Sequence, residues 1–203
     1  MKNIDYSLYL VTNSDNKTNT QFLKIIEESI NGGVSLVQLR EKTCSTLDFY
    51  NLARDVKKIT TKYGIPLIIN DRIDIALSVD ADGVHIGQDD MPMTIAREIL
   101  GDKIIGVSAS NLDEALKAEE DGADYLGVGA IYTTNTKNDA KSVSIDELKI
   151  ISKTVNIPVV AIGGINHNNA NELINTQIDG ISVVSAIMNS KNPLESAKRL
   201  KIF

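Results

Sequence analysis

Eight short apolar runs, each followed by a segment whose apolar residues recur near every 3.6 positions, set the tightest limit on how this chain folds. The runs are Leu8 to Val11, Ser35 to Leu39, Pro66 to Ile69, Gly83 to Ile86, Lys103 to Val107, Tyr125 to Gly129, Pro158 to Ile162 and Ile181 to Val184. Most are continuous rather than alternating. That is the pattern of parallel strands covered by helices on one side and packed side chains on the other. Helical stripes lie between them: Phe22, Ile25, Ile26 and Ile30; Phe49, Leu52, Ala53, Val56 and Ile59; Leu112, Ala115 and Leu116. Ser110 and Asn111 are candidate caps of the third stripe, and Ser144-x-x-Glu147 is a capping-box pattern before Leu148 and Ile151. Leu194, Ala197 and Leu200 predict a terminal helix.

Glycine and aspartate punctuate the strand entries at Gly32-Gly33, Asp82-Gly83, Gly122-Ala123-Asp124 and Asp179-Gly180. The recurrence fits one strand–helix unit per repeat. Eight units predict one α/β domain over residues 1–203, a (β/α)8 TIM barrel. At 203 residues the chain is near the short end for that fold, about 200. An open doubly wound sheet is the rival, but no GxGxxG turn is present. Aromatics are only 4% and Trp is absent, so the core must come from Ile, Val, Leu and Ala.

The formal net charge of −6 argues against nucleic acid as a partner, since no basic face is evident to neutralise a phosphate backbone. Cys44 is the only cysteine, which excludes an intrachain disulfide; it reads as a small apolar filler. His85 and His167 are too few for a His-rich zinc site. The start is polar, and no apolar run approaches the roughly 20 residues of a membrane span. The expected setting is cytoplasmic, without membrane partners; a homo-oligomer is compatible with the sequence.

In a barrel, reactive groups belong at the C-terminal ends of strands and in the loops that follow. The second strand ends Gln38-Leu39-Arg40-Glu41-Lys42, two cations around a carboxylate. Arg40 and Lys42 suit phosphate oxygens, or else form a surface ion pair with Glu41. The third and fourth strands end Asn70-Asp71-Arg72 and His85-Ile86-Gly87-Gln88-Asp89-Asp90. Asp71 and Asp90 can hold a hard cation such as Mg²⁺, or simply cap the next helices; Asp89 reads as an N-cap. Ser108 brings a hydroxyl to the same rim. The Thr133 to Val143 stretch, with Thr134, Asn135, Thr136 and Lys137, is long enough for a flap over the mouth. Gly163-Gly164 and Val184-Ser185 fit phosphate-binding loops after strands seven and eight. His85 reads as a satisfied structural histidine, and no nucleophile–base pair is evident.

Taken in order, Gln38-x-Arg40-Glu41-Lys42, Asn70-Asp71-Arg72, His85-x-Gly87-Gln88-Asp89-Asp90, Gly106-Val107-Ser108, Thr134-x-Thr136-Lys137, Ile162-Gly163-Gly164-Ile165 and Val183-Val184-Ser185-Ala186-Ile187 resemble the thiamine-phosphate synthase family over nearly the whole chain. The resemblance implies small-molecule substrates: a pyrimidine diphosphate and a thiazole phosphate, joined with loss of diphosphate. It implies that Gln38, Leu39, Arg40, Glu41, Lys42, Asn70, Ser108 and Lys137 contact the pyrimidine diphosphate. Of these, Arg40, Lys42, Ser108 and Lys137 would be catalytic. Asp71 and Asp90 would hold one Mg²⁺. Thr134, Asn135, Thr136, Gly164, Val184 and Ser185 would hold the thiazole phosphate. Thr133 stands where the family often has proline, and Gln177-Ile178-Asp179-Gly180 replaces its commoner entry to the last strand. A thiazole tautomerase of the same superfamily would not require the full cation and carboxylate set. A non-catalytic thiamine-phosphate-binding regulator would bind product and form none.

Overall fold

A computed structural model describes residues 4–133 and 142–203. Its strands are β1 (Leu8–Val11), β2 (Leu36–Leu39), β3 (Leu67–Asn70), β4 (Gly83–Ile86), β5 (Ile104–Ala109), β6 (Tyr125–Val128), β7 (Val159–Ile162) and β8 (Gly180–Val183). All pair in parallel in sequence order, and β8 returns to β1 to close the barrel. The connecting helices are α1 (Asn19–Asn31), α2 (Thr46–Tyr63), α3 (Ile73–Ser78), α4 (Met93–Leu100), α5 (Leu112–Glu120) and α6 (Ile145–Thr154). A 3₁₀ segment, Ala170–Thr176, links β7 to β8. A four-residue α7 (Ser185–Met188) and then α8 (Pro193–Leu200) follow β8. The barrel and its strand positions are those the apolar runs predict, within one or two residues at each end.

Strand alternation divides the apolar residues into two layers. Leu8, Leu10, Val37, Leu39, Ile69, Val84, Leu126 and Val128 face outward and pack beneath helices through Phe22, Ile26, Phe49, Ala53 and Val56. Tyr9, Val11, Leu36, Ile68, Ile104, Tyr125 and Val160 fill the interior. The interior is thus plugged by side chains below and left polar at the mouth.

The helix starts have local causes. Asn111 accepts from the Glu114 N–H at 2.9 Å and caps α5. Ser144 accepts from Glu147 N–H at 3.0 Å, but Glu147 does not return to its own cap. Its Oε1 instead accepts from Leu112 N–H at 3.0 Å, tying α6 to α5, so only half of the expected capping box forms.

At the opposite rim the Asp-Gly signals have a specific use. Asp82, Asp124 and Asp179, just before β4, β6 and β8, each accept a strand N–H: Leu67 at 2.9 Å, Ile105 at 2.7 Å and Val159 at 2.8 Å. Each also donates its own N–H to the carbonyl of that same residue, at 2.9, 2.8 and 2.8 Å. Ser35 does the same to Leu8 before β2, with its hydroxyl in place of the carboxylate, at 3.2 and 2.9 Å. The device therefore repeats on the pairs β1/β2, β3/β4, β5/β6 and β7/β8.

Candidate active site

Past the end of β2 the alternation continues, so Gln38, Arg40 and Lys42 line the mouth. Leu39 and Glu41 point the other way. Leu39 is fully buried under the helices, and Glu41 accepts from the Ser14 hydroxyl at 2.8 Å. Neither side chain lines the mouth, because a period of two puts every second residue on the outer face. Burial pushes the Glu41 carboxyl up, with the Ser14 hydroxyl acting against it. No Arg40–Glu41 ion pair forms among the described residues.

Asn70 ends β3 and is 8% exposed, and its Nδ2 has no hydrogen-bond partner among the described residues. Asp71 follows in a left-handed conformation, φ +60°, held by its N–H donating to His85 O at 2.9 Å. There it accepts from Lys42 Nζ at 2.5 Å. Asp90 accepts from the Gly87 N–H at 2.7 Å and lines the same mouth as Asp71. Burial holds the Asp90 carboxyl above the ordinary aspartate range, and the neighbouring Asp71 adds to this against the Gly87 amide and the Lys42 ammonium.

Neither carboxylate caps a helix. α3 and α4 begin after Arg72 and Pro92, and neither start has a side-chain cap. Asp89 likewise does not cap α4, since Pro92 occupies that position; the expectation is corrected. Arg72 turns away from the mouth, donating to Asp74 at 2.8 and 2.6 Å and to Thr46 at 3.1 Å. Cys44 is exposed in the β2–α2 loop, so it is not an apolar filler. It falls one residue before the Ser45 cap of α2, outside the packed layers.

Across the barrel, Gly163 and Gly164 take φ +101° and +66°. A Cβ at Gly164 would lie 2.7 Å from Thr133 O, so the close approach and the positive φ both require glycine. Gly164, Val184 and Ser185 line the same mouth as Arg40, Asp71, Asp90 and Ser108. Thr134, Asn135, Thr136 and Lys137 lie outside the described residues, as does most of the Thr133 to Val143 stretch.

Deeper in the barrel the lining is also polar, and of its residues only His85 stood out in the sequence. His85, Tyr9 and Ser182 all face the cavity. His85 has both ring nitrogens engaged, Nδ1 with Tyr125 Oη at 3.0 Å and Nε2 with Ser108 Oγ at 2.9 Å, which agrees with a satisfied histidine. Tyr9 and Tyr125 sit in strand runs that look simply apolar, and only their hydroxyls could have flagged them. No group of three or more His, Cys, Asp or Glu is arranged to hold a metal among the described residues. No helix among them is long and apolar enough to cross a membrane.

A family model described as thiamine monophosphate synthase matches residues 8–187. A protein of Methanobrevibacter smithii named thiamine-phosphate synthase is 64% identical over 201 residues, covering 98% of this chain and 96% of its own length. One of Clostridium acetobutylicum with the same name is 62% identical over 199 residues, covering 98% of this chain and 94% of itself. The solved structure of thiamine phosphate pyrophosphorylase from Pyrococcus furiosus superposes with a TM-score of 0.91 at 39% identity, covering 97% of this chain and 94% of that one.

Proposed function

The chain belongs to the thiamine monophosphate synthase family, and from that premise we propose how its barrel mouth forms thiamine phosphate. A pyrimidine diphosphate and a thiazole phosphate lie side by side in the mouth. The bond from the pyrimidine methylene carbon to the diphosphate oxygen breaks, and the thiazole ring nitrogen donates its lone pair to that carbon. No general base is required.

The observation that carries this reading is the convergence of Lys42, Asp71 and Asp90 at one side of a cavity whose other side is the Gly163-Gly164 turn and Ser185. In a closed barrel ordered β1 to β8, the ends of β3 and β4 stand opposite those of β7 and β8. One anion therefore has a side with cations and carboxylates, and the other a side with backbone amides.

Two facing carboxylates with one nearby ammonium form an all-oxygen donor set with excess negative charge. That fits Mg²⁺, which takes one or two carboxylates and completes its shell with water and substrate phosphate. Asp71 and Asp90 would hold it, and when bound it would neutralise charge developing on the departing diphosphate. Arg40 forks onto diphosphate oxygens, and Lys42 shares its ammonium between Asp71 and the leaving group. Asn70 aims an unpartnered amide into the cavity, where it donates to the pyrimidine half. Gln38 and Ser108 hold the pyrimidine, and Lys137 completes the diphosphate contacts. Gly164, Val184 and Ser185 offer backbone N–H groups and a hydroxyl to the thiazole phosphate, and Thr134, Asn135 and Thr136 would add contacts to the same group.

The test supplies both substrates with Mg²⁺ and follows thiamine phosphate and free diphosphate. Formation of both in equal amounts is expected. Product that binds but never forms would indicate a regulator, and rearrangement of the thiazole alone a tautomerase.

A further inference from the structure

Five side chains from five strands form one hydrogen-bonded chain beneath the mouth. Gln38 Nε2 donates to Tyr9 Oη at 2.7 Å. Tyr9 Oη meets Tyr125 Oη at 2.8 Å, Tyr125 Oη meets His85 Nδ1 at 3.0 Å, and His85 Nε2 meets Ser108 Oγ at 2.9 Å. Both phenols are almost wholly buried, at 2% and 0% exposure. Two of the rings lie directly against glycines, where a side chain would displace them: a Cβ at Gly106 would lie 2.1 Å from the Tyr125 ring, and one at Gly127 2.9 Å from His85 Cε1.

The chain has a direction. An amide NH₂ only donates, so Tyr9 must accept from Gln38. Each phenol has a single proton, and burial keeps both protonated. If Tyr9 passes its proton to Tyr125, then Tyr125 donates to His85 Nδ1, and the imidazole carries its proton on Nε2 and donates to Ser108. The reverse order at the phenols would leave the Tyr9 proton unpaired in the interior, which is costly. The two ends therefore face the cavity with opposite character. Gln38 is left with its carbonyl oxygen, an acceptor, and Ser108 with its hydroxyl proton, a donor.

We propose that Tyr9, Tyr125 and His85 are positioning residues that lock the polarity of Gln38 and Ser108, and that this locked pair selects an aminopyrimidine over its oxo counterpart. The reading rests on the activity proposed above. The exocyclic amine donates to Gln38 Oε1, and a ring nitrogen accepts from Ser108. An oxo group in place of the amine sets a carbonyl against Oε1. The amide cannot rotate to relieve this, because rotation breaks its bond to Tyr9 and reverses the whole chain. A lone glutamine would adapt to either ligand; a glutamine at the end of a proton-ordered chain does not.

The experiment compares the pyrimidine diphosphate with its 4-oxo analogue on the full chain, as substrates and as ligands, in the wild type, Tyr125→Phe and Tyr9→Phe. Wild type is expected to favour the amino form by at least about tenfold, the scale of one mismatched hydrogen bond. Tyr125→Phe frees the Tyr9 hydroxyl to donate to the amide oxygen, so the preference narrows by about tenfold, while KM for thiazole phosphate stays put. Tyr9→Phe does the same if Tyr125→Phe does not fold. Equal affinity of the wild type for the two pyrimidines overturns the proposal without any variant, and so does an unchanged preference in a folded variant. A wild-type chain that forms no thiamine phosphate from the amino substrate overturns the activity, and this reading with it.

Discussion

Asp71 is held in place by its backbone as much as by its neighbours. At φ +60° it occupies a region that most side chains avoid, and the His85 carbonyl and the Lys42 ammonium keep it there. The geometry leaves its carboxylate on Lys42 at the mouth that Asp90 also lines, rather than at the start of α3, where a cap would sit. Asp71→Asn removes the charge but keeps the shape. Turnover should fall by about a hundredfold or more at a fixed Mg²⁺ concentration, the scale of losing one preorganised charge contact to a developing anion. Thiazole phosphate binding, measured by calorimetry, should be nearly unchanged. Equal loss of both would remove Asp71 from the metal-holding role.

The elements show why some of the sequence was legible and some was not. Strand positions could be read because a strand covered on both faces must be apolar throughout. The Asp-Gly punctuation was legible as a boundary but not as a clamp, since its partner is a residue at the start of the previous strand, 15 to 20 positions earlier. Asp124 is a clear case, accepting from both Ile105 N–H and Arg97 Nη2, at 2.7 and 2.6 Å. Asp124→Ala should cost about 1–3 kcal/mol by orphaning a strand amide, seen as a lower denaturation midpoint with an unchanged slope. The candidate site was legible to the extent that strand ends are. Alternation beyond β2 separates Arg40 and Lys42 from Leu39 and Glu41, but the loop ahead of α4 hid that Pro92 rather than Asp89 begins that helix. The polar chain through Tyr9 and Tyr125 was not legible, because a buried tyrosine in a strand looks like any large core residue.

The same scale contains a pH-dependent joint. His167 Nε2 meets Ser196 Oγ at 3.0 Å, and Ser196 donates on to Ala186 O at 2.6 Å, so the loop after β7 is tied through α8 to the turn after β8. Burial holds His167 below its ordinary value of 6.5, with Arg199 adding to the shift. The unfolded chain thus takes up the proton at higher pH than the folded one. Stability is present in full above about 6.5 and is lost as pH falls from there toward the depressed folded value. His167→Gln should flatten this slope in melts taken between neutral and mildly acidic pH. An unaltered slope would mean the histidine protonates alike in both states.

For the whole molecule, closure makes the two halves of the site depend on one another. The cation side stands on β2 to β4 and the amide side on β7 and β8, and no strand edge lies free between them. α1 and α8 pack together, with Phe22, Ile26, Ala197 and Leu200 in one core, so the last helix is fastened to the first. A barrel built this way should melt in one transition, and either ligand should stabilise all of it. At a hundred times its Kd, a ligand adds about 2.7 kcal/mol. For a chain of this length that raises Tm by about 5–10 °C. If Asp71 and Asp90 anchor the pyrimidine diphosphate through Mg²⁺ as proposed, that ligand should give the full rise only with Mg²⁺ present, whereas thiazole phosphate should give it in chelator as well. A metal requirement common to both ligands would mean that the two anions share one anchor, and the division of the mouth into a cation side and an amide side would fail.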